Sequence, residues 1–260
     1  MKKIYNLLLI PAFAGMISCS GGGNRENDRV MEFRPYQFDA IAQIIDMDTV
    51  RTDGGDYCRV SGQGVLPVRC GNLDISLLQD SLTRLAEVIV VDKNLVQPAL
   101  DNELELTQKD PESTEACSVM VNELSVDLVT PQLAVWKDYS YFYPCGAAHG
   151  MYSTTYVNFS IDMGKILSLS DIFKPGYVEE LEKVLREKVT EMNVPLLVDI
   201  NEVTVPSDFR ITTHSVDFIY SLYEIAPYSE GEIMVSLPRY EIDSLFAEGA
   251  EEKLFGPSFD

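Results

Sequence analysis

Among the groups in this 260-residue chain that can exchange protons, hold a metal or form a covalent bond are 2 histidines, 5 cysteines and 41 carboxylates. His149 stands in Ala147-Ala148-His149-Gly150. A histidine there can serve as a general base or a ligand. No partner for that work is identifiable, and the simpler reading is a loop histidine whose ring hydrogen-bonds backbone and fixes the turn. His214 falls in a predicted turn. No GxSxG, HExxH or Walker loop occurs. Asp46, Asp48, Asp53 and Asp56 lack the order of an EF-hand loop. No CxxC occurs, so a zinc site is not expected either. With 41 acids available, any acid/base pair would be an arbitrary choice. The expectation is a protein without catalysis, metal or cofactor. A hydrolase or esterase acting on cell-wall sugars is the alternative.

Tyrosine carries more information. Tyr139, Tyr141 and Tyr143 share one strand face, Tyr152 and Tyr156 share another, and Tyr220, Tyr223 and Tyr228 lie near Pro227. A ring that is apolar in body and polar at its tip suits both sheet packing and contact with sugars or peptides. Most of these tyrosines fit sheet packing with hydroxyls at the rim. Tyr223, Pro227 and Tyr228 sit in a loop and, with His149, are the binding candidates.

The N-terminus reads as an address. Lys2 and Lys3 precede an apolar run from Ile4 to Ile17, broken by Tyr5 and Asn6. That is too short for a transmembrane helix, which needs about 20 apolar residues, and it has the form of a signal peptide. Met16-Ile17-Ser18-Cys19 resembles a bacterial lipobox. In such signals the cysteine, here Cys19, is lipidated and becomes the new N-terminus.

Four cysteines then remain, an even number that favours disulfides in an exported chain, with three connectivities open. Residues 118–129 and 133–143 read as strands around Thr130-Pro131-Gln132. A three-residue loop would set Val126 opposite Trp136, Leu128 opposite Ala134, and Cys117 opposite Cys145. Cys58 and Cys70 flank Ser61-Gly62-Gln63-Gly64, a turn-like centre between two expected strands. The favoured pairing is Cys58–Cys70 and Cys117–Cys145.

The elements that would position these residues are mostly strands. Two amphipathic helices stand out. One spans 74–89, with Ile75, Leu78, Leu82, Leu85, Ala86 and Ile89 on one face and Asn72 or Asp74 as cap. The other spans 177–192, lined by Val178, Leu181, Val184, Leu185, Val189 and Met192. Met151–Ile161, Ile166–Leu169, Phe209–Thr212, Val216–Leu222 and Ile233–Leu237 read as strands, and a short helix is expected from Pro238 to Phe246. The class is α+β, a mostly antiparallel sheet with two principal helices in two adjoining subdomains. The expected division is a signal peptide 1–18, a flexible tether 19–30, an N-terminal half 31–114, a C-terminal domain 115–248 and a frayed acidic tail 249–260.

Three stretches together resemble a known extracytoplasmic domain of unknown function. They are Tyr143-Pro144-Cys145-Gly146-Ala147-Ala148-His149-Gly150 with Tyr156-Val157-Asn158-Phe159; Asp162-Met163-Gly164-Lys165 running into Leu167 to Phe173; and Phe209, Val216 to Phe218, then Tyr223 to Tyr228 with Gly231 and Pro238. The order, over about residues 115–247, is similar to the C-terminal domain of RsiV-type anti-sigma factors. The same domain accompanies the catalytic domain of PdaC-type peptidoglycan deacetylases. The resemblance implies an α+β domain that binds rather than catalyses. In the anti-sigma factors it is a lysozyme receptor, and in the deacetylases the chemistry belongs to a separate domain. Cys145 and Ala147 depart from the small residues or glycine expected there.

Charge narrows the partners. There are 20 basic against 41 acidic residues, a formal charge of -21. Losing residues 1–18 removes two lysines and no acid, which moves it to -23. Nucleic acid is not an expected partner, because phosphate recognition needs Lys and Arg. Anionic lipid is not expected to hold the protein by charge. What remains is attachment to the outer or cytoplasmic membrane through the N-terminal lipid. The outer membrane of a Gram-negative envelope is the default. The ligand would be a basic, lysozyme-like protein or peptidoglycan fragments, with a role as accessory subunit of an outer-membrane complex as a further alternative.

Overall fold

A computed structural model of the chain describes residues 5–7, 31–43, 57–85, 118–144 and 147–256, with backbone alone for 5–7, 35–43, 57–61, 118–120 and 144. The larger sheet has seven strands in sequence order: β1 (Tyr5–Leu7), β2 (Met31–Gln43), β3 (Tyr57–Cys70), β4 (Ser118–Val129), β5 (Leu133–Pro144), β6 (Met151–Ser160) and β7 (Lys165–Ile166). Its neighbours are antiparallel except β3 and β4, which run parallel. A second sheet holds β8 (Asp208–Ile211), β9 (Ser215–Tyr220) and β10 (Ile233–Pro238), with β9 in the middle and buried along its whole length. Among the described residues the α-helices are α1 (Ser76–Leu85), α2 (Leu169–Ile172), α3 (Tyr177–Met192) and α4 (Ala250–Phe255). The class is α+β and mainly antiparallel, as expected.

Alternation along β5 assigns the layers. Ala134 and Trp136 face one core with Leu78 and Leu82 of α1, Phe33 of β2, Leu66 of β3 and Phe159 of β6. Leu133 and Val135 face the other core, with Leu181, Leu185 and Val189 of α3 and the inner residues of β8 to β10. The large sheet is therefore the middle layer, with α1 on one face and the small sheet plus α3 on the other. A strand buried on both faces needs apolar residues at both phases, and residues 133–136 are all below 1% exposed. Trp136 donates its indole N–H to Val65 O at 3.1 Å, tying β5 across the core to β3.

The two sheets are joined by one side chain. Asn158 of β6, 1% exposed, accepts from Ile211 N–H at 2.8 Å and donates to Phe209 O at 2.7 Å. Its amide thus behaves as an extra peptide unit along β8. The outer edge of β6 is closed by carboxylates. Glu232 accepts Thr154 N–H at 2.6 Å and Asp208 accepts Tyr156 N–H at 3.1 Å. Unpaired strand N–H groups invite further pairing, and here the small sheet occupies them.

Several expectations need correction. Tyr57–Cys70 is one unbroken strand paired along its length with β2, so the turn expected at Ser61–Gly64 does not form. Cys58 and Cys70 stand 12 positions apart on it, about 40 Å at ~3.3 Å per residue. That is far beyond disulfide reach, so the Cys58–Cys70 pairing is excluded. Cys70 is buried opposite Met31. Cys19, Cys117 and Cys145 lie outside the described residues, as do Asp46, Asp48, Asp53 and Asp56.

The β4–β5 hairpin has the expected loop Thr130–Gln132 and the expected Val126↔Trp136 pair, but Leu128 opposes Val135 rather than Ala134. Thr130 already pairs with Leu133, its N–H bonding Leu133 O at 2.8 Å. A bulge between Val126 and Leu128 absorbs the slip, and the register continues to Ser118↔Pro144. The short helix near 170 is capped by Ser168, with Asp171 reaching back to the Ser168 N–H. On α3, Val178 and Met192 are 46% and 42% exposed, so its buried stripe is Leu181, Leu185 and Val189. Residues 250–255 form a helix rather than a frayed tail, with Leu254 buried and Phe255 edge-on to Phe246 at 5.9 Å. β3 and β4, one from each expected half, pair within the large sheet.

Candidate functional site

The four binding candidates meet on one face. Tyr228 is the hub. Its ring stacks on His149 with centroids 4.1 Å apart and planes 25° apart. Tyr223 lies 5.8 Å away on another side, and Tyr152 packs edge-on at 6.4 Å. Tyr152 continues to Tyr139 of β5 at 6.0 Å. The tyrosines of β5 and β6 therefore belong to one sheet face, brought into line by the Tyr141↔Tyr152 and Tyr139↔Thr154 pairs.

Local backbone chemistry explains the placement. Pro227, with φ -67°, enters the turn Tyr228–Glu230, and Gly231, with φ 74°, leaves it. A side chain at Gly231 would meet the Tyr152 hydroxyl, so the close approach requires glycine as much as the dihedral does. Tyr228 donates its hydroxyl to Gly150 O at 2.8 Å, which pins the 228 turn to the loop ahead of β6. His149 Nδ1 lies 3.0 Å from the same oxygen. The expected backbone bond of His149 is present, and its ring has a second use as the stacking partner of Tyr228. Any side chain at Gly150 would run into the Tyr141 ring, while Tyr143 donates to Ala147 O at 2.9 Å. The Ala147–Gly150 loop is thus held by tyrosine hydroxyls and a stacked ring.

Tyr223 has φ 65° and is 47% exposed. A bulky residue in the left-handed region costs about 1–2 kcal/mol. The turn that imposes it is closed by Glu224, which accepts Ser221 N–H at 2.7 Å, and by Glu224 N–H bonding Ser221 O at 3.0 Å. The strained turn thus leaves an aromatic ring in solvent rather than buried.

Carboxylates rim the rings: Glu224 and Glu230 are exposed and Glu232 half-buried. Burial raises the Tyr139 hydroxyl above its usual pKa, helped by Tyr141 and Tyr152 and then by Glu123 and Glu232. Such a face can stack on planar or cationic groups and pair with positive charge.

The structure also separates residues. His214 is exposed at the β8–β9 turn, at the opposite end of β9 from Tyr223, with its Nδ1 2.7 Å from Thr213 Oγ1. Tyr220 is 1% exposed and donates to Thr204 O at 2.9 Å, a core residue whose hydroxyl pKa burial raises. Tyr139 and Tyr152 were not singled out by sequence as part of this face. Their shared alternation was visible, but the β5–β6 register that aligns them depends on the loop between the strands. Among the described residues no helix is long and apolar enough to cross a membrane, and no cluster of metal-ligand side chains occurs.

No curated protein matches the chain. Solved structures do. A DUF3298 family member from Bacteroides fragilis NCTC 9343 superposes with a TM-score of 0.67 at 20% identity, over 85% of this chain and 95% of that one. A DUF3298 family protein from Pseudomonas aeruginosa PAO1 gives 0.59 at 16% identity, over 86% and 97%. At such identities the likeness establishes the fold. Residues 170–240, which hold α3, the small sheet and the Tyr223–Tyr228 turns, match the family described as "Protein of unknown function (DUF3298)".

Proposed function

We propose that the chain is a lipid-anchored binding module of the bacterial envelope with no catalytic step of its own, and that a basic, lysozyme-like protein docks on the aromatic face. The observation that carries this reading is the convergence of His149, Tyr223 and Tyr228 within one aromatic cluster. The exposed Tyr223 and half-buried Tyr228, with Glu224, Glu230 and Glu232 near them in the chain, offer an arginine or lysine both a ring face and a carboxylate. The charge of -23 on the chain after residue 18 steers a cationic partner toward it. The DUF3298 match at 170–240 lies within the stretch that resembles the RsiV-type lysozyme receptor domain.

Anchoring follows the N-terminal signal. Cys19 carries the lipid, residues 20–30 are the tether, and the body faces the envelope. Cleavage after Ser18 removes β1 and leaves β2 as the sheet edge, the kind of strand that tolerates a proline such as Pro35. Cys117 and Cys145 flank the last ladder pair in sequence, Ser118↔Pro144, and are proposed to form a disulfide.

The test is a titration of the lipid-free protein from residue 19 onward with lysozyme at low and physiological salt. Saturable binding at physiological salt that weakens about tenfold in Tyr228→Ala is expected, a loss of ~1.4 kcal/mol. Binding that vanishes with salt, or that Tyr228→Ala leaves untouched, removes the aromatic face as the docking site.

A further inference from the structure

A cleft of about 570 Å³ lies between the β6 edge, the start of α2 and α3, and the small sheet; none of the His149, Tyr152, Tyr223 and Tyr228 rings lines it, and of the β6 tyrosines only Tyr156 does. That volume is within the range of small-molecule sites, roughly 300–1,000 Å³. Ser207, Asp208, Ser221, Tyr156, Tyr177 and Ser168 are among its lining residues. Ser168 is committed to Asp171 and Ser170. The hydroxyls of Ser207, Ser221 and Tyr177 form no side-chain hydrogen bond with the described residues and are available to a ligand.

Asp208 is the one carboxylate in that lining, and no lysine, arginine or histidine lines it. Its Oδ1 accepts Tyr156 N–H. Among the described residues no cation pairs with it. Arg210, two positions along β8, is spent elsewhere: it binds Asp217 at 2.6 Å, lies 3.6 Å from Asp127, and places its guanidinium 5.5 Å from the Tyr156 ring centroid. Burial lifts Asp208 to a pKa of about 6. The Tyr156 N–H opposes the shift, and Glu232 and Glu224 add to it. A half-buried carboxylate without a counter-ion carries a desolvation cost. An entering positive charge would offset that cost, and the surrounding hydroxyls would bind neighbouring polar groups.

The geometry points to a second ligand site in this cleft, taking a small polyol that carries a primary ammonium, of the amino-sugar class. The ammonium meets Asp208, and the ligand hydroxyls meet Ser207, Ser221 and Tyr177. Neutral sugars lack the ion pair, and acidic sugars add a like charge to Asp208, Glu224 and Glu232. This goes beyond protein docking on the aromatic face, because it uses other residues and another ligand class.

The experiment is calorimetric titration of the full chain with glucosamine, glucose and glucuronate at pH 7.5. Glucosamine should bind saturably, at least tenfold more tightly than glucose, with no binding of glucuronate. Asp208→Asn keeps an oxygen acceptor for Tyr156 N–H, so the fold is retained. It should reduce glucosamine binding at least tenfold and erase the preference over glucose. Ser221→Ala should weaken both sugars. Tyr228→Ala should leave glucosamine binding unchanged, which separates this site from protein docking. No saturable glucosamine binding, equal binding of glucose, or full binding by a folded Asp208→Asn variant would each overturn the proposal.

Discussion

Asp208 shows how one residue can serve structure at a cost to stability. Its carboxylate closes a β6 N–H, yet burial holds its pKa at about 6, above the ordinary ~3.9 of an unfolded aspartate. The folded state therefore binds the proton more tightly than the unfolded chain. The contribution of this group to stability is fully present below about pH 4, declines as pH rises through the folded value near 6, and is gone above it. Asp208→Asn keeps the acceptor and removes the ionisation. The variant should melt about 2–6 °C above the unchanged protein at pH 7.5, and the gap should close by pH 4. Circular dichroism melts at the two pH values read this directly, and a variant less stable at pH 7.5 would show that the charged form is the one the fold uses. None of this was legible in the sequence, where Asp208 was one of 41 acids. His149, Tyr223 and Tyr228 were legible, because a histidine next to glycine and two tyrosines about a proline are unusual in loops. Their meeting was not, since it depends on Tyr228 reaching Gly150 across 78 positions of chain.

Elements were readable where period and turn chemistry agreed. Helix α3 fills the expected 177–192, because its apolar spacing matches the helical repeat and Gly176 and Asn193 bound it. Strand β3 was misread because Gly62 and Gly64 are turn residues by propensity. In the sheet they stand opposite Phe38 and Tyr36 and beside Asn122 and Leu124, with partners on both sides overriding the local preference. The bulge near Asp127 and helix α4 are likewise products of tertiary contact, the one of the tight Thr130–Leu133 closure and the other of Leu254 and Phe255 packing. The weakest point for prediction, and the strongest for a test, is the joint between the sheets. Asn158 was read only as part of a motif, yet it pairs both Ile211 N–H and Phe209 O. Asn158→Leu keeps volume but orphans two buried backbone groups, at about 1–3 kcal/mol each. The variant should unfold at a lower urea midpoint with an unchanged slope. A midpoint equal to that of the unchanged protein would mean that the small sheet is held by packing alone.

At the scale of the whole molecule, charge and anchor oppose each other. A body carrying -23 after residue 18 is repelled by an anionic leaflet, so surface electrostatics cannot hold it at a membrane. No helix among the described residues is long and apolar enough to span one. On the proposed reading, acyl groups on Cys19 would supply the attachment, and stable anchoring takes more than one such chain. Membrane attachment should then survive a high-salt wash, because screening weakens repulsion from the anionic surface and leaves the acyl insertion intact. Cys19→Ser should prevent lipidation and release the protein from the membrane pellet at every salt concentration. The released form should fold as before, since residue 19 precedes the first strand of the body, β2, which starts at Met31. Fractionation of cells expressing each form, at low and high salt, decides the matter. Retention of Cys19→Ser on the membrane would overturn the lipid anchor, and release of the unchanged protein by salt would assign its attachment to charge.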